Sequence, residues 1–329
     1  MVSAASLRNL KLDRREVKMN QKKIVVVMGG TSTEASVSRQ TGTAILNALK
    51  SKGYNAVGME LEPQNFAAQI KASNCDMVFN ALHGKFGEDG VLQGTLDMLG
   101  IPYTGSGVLA AAITMDKAAS KRVFLGAGIS TPRSRTYHRF EMECSLQEIR
   151  QEFSLPVVVK AASQGSSIGV VIVEKPEDLK AALEEAFKYD DEVLVEEFIQ
   201  GKELTVAVWG NEEKKEAFPI IEITTASGRY DYDSKYTKGA STHIIPARVS
   251  DELTKKIQQL AIDTFTACSC RGVARVDMML SEAGVPYVIE VNSVPGMTEL
   301  SLVPDAGRAM GIEFPELCER ILLMAGFEK

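Results

Sequence analysis

Thiol and imidazole chemistry have little to work with in this chain. Its 329 residues include three histidines and five cysteines. Cys75, Cys144, Cys268, Cys270 and Cys318 form no CxxC pair, so neither a disulfide framework nor a zinc site is expected, and a reducing cytoplasm fits. Cys268 and Cys270 close a helical pattern and read as core. No apolar run approaches a membrane span, and segment 1–21 is basic at Arg8, Lys11, Arg14, Arg15 and Lys18 without the apolar stretch of a signal peptide. That arm is expected to be disordered. A surplus of positive charge is also missing: the net charge of −6 argues against nucleic acid or a membrane surface and leaves small molecules as partners. What remains is an ordinary globular composition, 45% hydrophobic and 24% charged, in a chain long enough for two or three domains.

Strand-like and helix-like segments alternate from residue 23 onward. An apolar run at 23–28, the turn Gly29-Gly30-Thr31-Ser32 and a helical pattern at 36–52 make a βα unit. A second strand at 76–82 and a helix at 91–99 extend this to a small parallel sheet ending near Gly105-Ser106-Gly107. Helices are expected over 108–127 and 177–187, with strands at 156–161, 170–173 and 193–197. The last third reads as strands at 204–209, 218–223 and 243–246, a helix at 251–269, and a hairpin at 273–292. Segment 224–242 is polar and too long for an ordinary connection, the mark of a functional lid.

The hairpin is the chemically telling part. Arg275, Asp277, Glu290 and Asn292 interrupt two apolar runs, and residues two apart on a strand share a face. Two carboxylates, a carboxamide and a guanidinium in a sheet are costly unless they meet opposite charge. Oxygen donors of this kind suit magnesium shared with phosphates. The competing reading is a solvated face or a buried Arg–Asp pair. Phosphate signals recur at Lys160 with Gln164-Gly165-Ser166-Ser167, at Lys117 opening a helix, and at Lys235-Tyr236 in the lid. Together with Arg275 these lysines face an acidic site, as triphosphate chemistry requires. Gly105-Ser106-Gly107-Val108-Leu109-Ala110 matches a dinucleotide pattern, but its strand is broken by Pro102 and a ribose-binding acid is missing downstream. His83, in a glycine-flanked loop at a sheet's carboxyl edge, and Glu34, near a helix N-terminus, are candidates for binding a second ligand.

Read in order, Gly29-Gly30-Thr31-Ser32 with Glu34, Ala81-Leu82-His83-Gly84, Gly87-Glu88-Asp89-Gly90, Met115-Asp116-Lys117, Gly165-Ser166-Ser167, Lys235-Tyr236, Arg275-Val276-Asp277, Glu290-Val291-Asn292 and Pro295-Gly296-Met297-Thr298 resemble the D-alanine–D-alanine ligase family of the ATP-grasp superfamily. The resemblance runs from about Lys22 to Phe327. It implies an α/β and α+β, ATP-grasp fold of three domains: 22–106, 107–203 and 204–329, the last carrying the metal site and the lid. It implies ATP held by Lys117, Lys160, Ser166, Glu196, Glu197, Phe198, Glu203 and Lys235. Two Mg2+, replaceable by Mn2+, would sit on Asp277, Glu290 and Asn292. D-alanine would be bound by Glu34, His83, Arg275, Gly296, Ser301 and Leu302, with Glu34, Ser166, Tyr236, Arg275 and Ser301 catalytic. A cytoplasmic homodimer making D-alanyl-D-alanine through an acylphosphate, for peptidoglycan precursors, is the expectation. Ala161-Ala162, Val294 and Leu300 depart from the family's usual proline-serine, serine and histidine. Two other classes remain open: an ATP-grasp ligase for a different carboxylate and amine, and a non-catalytic nucleotide-binding protein.

Overall fold

The computed structural model describes residues 20–165, 168–211, 213–225, 239–298 and 301–327. The arm 1–21 lies almost wholly outside them, as do Ser166, Lys235 and Tyr236. A three-stranded parallel sheet opens the chain, with β1 (Lys23–Met28) between β2 (Asn55–Glu60) and β3 (Met77–Asn80). The helix α1 (Ala35–Ser51) crosses from β1 to β2; α2 (Phe66–Ala72) and α3 (Val91–Leu99) follow. The region 108–127 is two helices, α4 (Val108–Met115) and α5 (Lys117–Gly126). Asp116 separates them: its backbone is extended and its side chain accepts from the Ala119 N–H, capping α5.

A four-stranded antiparallel sheet follows, in the order β4 (Ser134–His138), β7 (Glu192–Glu197), β5 (Val157–Ala161), β6 (Val170–Val173). Its covering helices are α6 (Met142–Glu152) and α7 (Leu179–Ala186). The third sheet is antiparallel, running β11 (Ser241–Ile244), β10 (Ile221–Thr225), β8 (Gly201–Gly210), β12 (Gly272–Ser281), β13 (Pro286–Asn292), with β9 (Lys215–Ala217) beside β8. The α8 helix (Asp251–Ala267) covers one face, and α9 (Leu302–Ala309) and α10 (Phe314–Leu323) end the fold. Thr224, Thr225, Ser241 and Thr242, expected in the lid, are ladder residues of β10 and β11.

From Ala274 onward burial on β12 alternates residue by residue, as a strand covered unequally on its two faces requires. Ala274, Val276, Met278 and Leu280 enter a core with Ile257, Ala261 and Phe265 of α8. Val273, on the other face, joins a core that also holds Ile24 and Val26 from the first sheet, Ile45 and Leu49 from α1, and Leu317, Ile321 and Leu322 from α10. The parallel sheet and the large antiparallel sheet therefore share one hydrophobic interior. Arg275 and Asp277 follow Val273 on that face, where the shared core gives way to the polar cleft. The four-stranded sheet has a separate core, built on Val157, Val159, Leu183, Val193 and Val195.

Candidate active site

The hairpin register sets the polar constellation. Arg275 pairs with Asn292 and Asp277 with Glu290 across β12 and β13. The Arg275 guanidinium donates through two nitrogens to both Asp277 oxygens, each at 2.8 Å. Asp277 also accepts from Thr205 Oγ1 on β8 at 2.5 Å and from Asn292 Nδ2 at 3.0 Å. The Lys117 ammonium, at the start of α5, stands 3.7 Å from Glu290 and donates to the Gln164 carbonyl at 2.5 Å. The Arg–Asp pair, half-buried, and the cluster of oxygen donors are thus the same object. Asp277 and Glu290 are like charges directly opposite, an arrangement that needs cations on it, and Arg275 and Lys117 supply them here.

Glu34 stands at the N-cap position of α1 and is buried, at 7% exposure. A Cβ added at Gly165 would stand 2.6 Å from Glu34 Oε2, so the glycine loop after Lys160 closes directly over this carboxylate. Glu88, in the loop before α3, accepts the Gly84 N–H at 2.6 Å. Burial foremost, then the charges of Glu34 and Glu290, push its carboxyl up to about 8, with Arg275 opposing them. His83 is buried, 3.0 Å from Thr41 Oγ1, and its carbonyl accepts the Ser32 hydroxyl at 2.7 Å. Burial brings its imidazole down to about 4, aided by the Arg275 charge and opposed by a backbone hydrogen bond at Val294. It is neutral at ordinary pH.

Beyond the hairpin, the Thr298 N–H donates to Ser301 Oγ at 2.9 Å, and a Cβ at Gly296 would meet the same oxygen at 3.0 Å. Ser301 stands at the N-cap of α9. The Leu302 side chain is buried in the shared core, so what it can offer a ligand is its backbone N–H in the first helical turn.

On the four-stranded sheet Lys160, the last residue but one of β5, forms an ion pair with Glu196 of β7, 2% exposed. Glu196 Oε2 lies 2.8 Å from the Lys121 ammonium, so the carboxylate meets a lysine at each oxygen. Burial raises the Glu196 carboxyl, but the Lys160 and Lys121 charges outweigh it and leave it below its ordinary range. Glu197 accepts the Arg133 N–H at 3.1 Å, Phe198 follows it, and Glu203 is half-buried on β8 opposite Met279. Glu88, Lys121 and Thr205 join the site without having been singled out from sequence. Glu88 stood inside a quoted glycine motif, the one signal available for it.

Against this geometry the comparisons speak with one voice. A family model described as D-ala D-ala ligase C-terminus matches residues 127–323, and one described as D-ala D-ala ligase N-terminus matches 58–106. The chain belongs to the D-alanine–D-alanine ligase family. A curated relative of that name from Pelotomaculum thermopropionicum is 48% identical over 92% of this chain and 96% of its own length. Among solved structures, the D-alanine–D-alanine ligase of Bacillus anthracis complexed with ATP is 35% identical, with a TM-score of 0.77 over 92% of this chain and 97% of that one. The VanG D-Ala:D-Ser ligase from Enterococcus faecalis is 32% identical, with a TM-score of 0.79 over 92% of this chain and 99% of that one. The ATP-grasp fold expected from the motifs is the fold of these ligases.

Proposed function

We propose that this chain joins two D-alanine molecules into D-alanyl-D-alanine with ATP, through a D-alanyl phosphate, releasing ADP and phosphate for peptidoglycan precursor synthesis. The observation that carries the reading is the approach of Gly165 to Glu34, because it puts the phosphate loop against the carboxylate assigned to the amino acid. In this reading ATP lies between the four-stranded sheet and the large antiparallel sheet, the domain division being 22–106, 107–203 and 204–329. Lys117 and Lys160 meet its phosphates, with Lys235 and Ser166 joining from the loops. Glu196, Glu197 and Phe198 lie along the adenine, with Glu203 on the ribose.

Asp277, Glu290 and Asn292 are the residues that would hold magnesium or manganese. Two facing carboxylates and a carboxamide fit a hard divalent cation, which would screen the nucleotide's phosphates when bound. Glu34 takes the ammonium of the first D-alanine. His83, neutral, stands beside that ammonium without repelling it. The carboxylate of this D-alanine attacks the γ-phosphorus, and the amine of the second D-alanine then attacks the resulting acyl carbon. Arg275 and the Gly296 N–H stabilise the oxyanion, a donor role typically worth ~10²–10³ in rate. Ser301 and the Leu302 N–H hold the second carboxylate, and Tyr236 with Ser166 closes over Glu34. We further propose a cytoplasmic homodimer.

The test is incubation with ATP, magnesium and a panel of D- and L-amino acids plus D-lactate, following phosphate and condensed product together. Equal yields of phosphate and D-alanyl-D-alanine are expected. Phosphate without dipeptide, or a preference for D-serine or D-lactate as acceptor, would overturn the assignment.

A further inference from the structure

Lys121 lies one helical turn beyond Lys117 on α5 and is 4% exposed. Its ammonium donates to Thr131 Oγ1 at 2.6 Å and to the Pro132 carbonyl at 3.3 Å, and stands 2.8 Å from Glu196 Oε2. Glu196 holds Lys160 with its other oxygen. One buried carboxylate therefore faces two buried ammonium groups. Thr131 carries the connection further, donating its hydroxyl to the Val288 carbonyl at 2.7 Å, while the Val288 N–H donates to Ser130 at 2.8 Å. Val288 stands on β13, two residues before Glu290.

A lone buried Lys–Glu pair is electrically closed, and its lysine would have to abandon the carboxylate to meet an incoming anion. Leaving a buried carboxylate unpaired is strongly unfavourable. With two ammonium groups on one carboxylate the contact cluster holds a surplus positive charge, which an anion relieves. Burial lowers the Lys121 pKa; Glu196 opposes this and the neighbouring Lys160 charge adds to it. Glu197, the other nearby carboxylate, is engaged with the Arg133 N–H. The three contacts of Lys121 hold it inside the fold. Lys160, near the end of β5 next to the glycine loop, is the member placed to turn toward a ligand.

We propose that Lys121 is a positioning residue for nucleotide binding: it keeps Glu196 neutralised when Lys160 turns to the phosphates, and through Thr131 it ties that charge to the strand bearing Glu290. This rests on the reading of Lys160 as a phosphate ligand. The experiment is a double-mutant cycle in ATP affinity, measured calorimetrically with magnesium and by the KM for ATP. Lys121→Met should weaken ATP about tenfold while leaving the KM for D-alanine nearly unchanged, and Lys121→Arg should restore much of the loss. In a Glu196→Gln background the same Lys121→Met change should have little effect on ATP affinity, because no carboxylate is left to neutralise. Without ATP the single variant still pairs Glu196 with Lys160, so its fold should survive. A tenfold loss that persists in the Glu196→Gln background overturns the proposal, as does a lowered melting temperature with unchanged ATP affinity. Should Lys160→Met bind ATP as the wild type does, the underlying assignment of Lys160 fails instead, and the two failures are distinguishable.

Discussion

Asp277 and Glu290 face each other across the β12–β13 ladder, two acids in direct register beside a hydrophobic interior. In the protein alone Arg275 and Lys117 offset their repulsion, so the same contacts that hold the hairpin together are the ones a metal and a triphosphate would rearrange.

Glu290→Gln and Asn292→Ala should each abolish phosphate release while the fold survives, because a bound metal would lose an oxygen ligand linking it to the nucleotide. Phosphate release at modest magnesium, with circular dichroism as the folding control, checks this. Normal turnover in either variant removes the hairpin from the active centre.

Arg275→Ala should reduce turnover by about two to three powers of ten, with a smaller effect on ATP affinity, since its charge matters most as the oxyanion develops. Steady-state kinetics in both substrates separates the two. Weak ATP binding with nearly normal turnover would move Arg275 from the oxyanion to the nucleotide.

Gly165→Ala places a methyl group 2.6 Å from a Glu34 carboxylate oxygen, and the buried Glu34 side chain has to shift. The KM for the first D-alanine should rise by about tenfold or more, with ATP affinity less affected, if Glu34 holds the substrate ammonium through a charge-assisted contact. An unchanged KM for D-alanine would mean that Glu34 does not bind the substrate.

Glu222 should make stability fall on acidification. Arg248 donates to both its oxygens, and these hydrogen bonds foremost bring its carboxyl to about 2, against the opposing effect of burial. A depressed carboxyl stabilises above its unfolded pKa and loses that contribution as pH falls through the folded value. The stabilisation is therefore full above the ordinary carboxyl value of 4.5 and lost by about pH 2. The shift corresponds to at most about 3 kcal/mol, and less because the Arg248 side chain is 61% exposed to solvent. Urea unfolding of Glu222→Gln against wild type should give a difference at pH 7 that closes near pH 2. A difference independent of pH would assign the loss to packing.

Much of the fold is legible in the sequence. The hairpin announced itself because four polar residues interrupt runs that burial would otherwise keep apolar, and its strands and register follow that pattern. The opening βα unit and the helix beginning at Lys117 were equally plain. The β2 strand was not, since its mostly exposed residues show no buried run. Nor were β4 and α6 apparent, lying in a polar stretch. Strands expected at 218–223 and 243–246 stand at Ile221–Thr225 and Ser241–Ile244, because Phe218 and Ile220 are buried by packing outside the ladder. Lys121 looked like any charged helix residue. What makes it a site residue is a carboxylate on β7 and a threonine after α5, a meeting that tertiary structure alone arranges.

The interior shared by the first sheet, the large sheet and α10 also has a mechanical meaning. Tyr54 bonds Glu319 at 2.8 Å and Lys52 pairs with the same carboxylate, so the beginning and the end of the fold are bolted together as one block. Glu34, Arg275 and Ser301 all belong to that block, and their spacing is a constant of the machine rather than something each catalytic cycle has to rebuild. The four-stranded sheet, with its own interior and with Lys160 near its rim, stands outside that block and meets it through Lys117, Lys121 and the Gly165 loop.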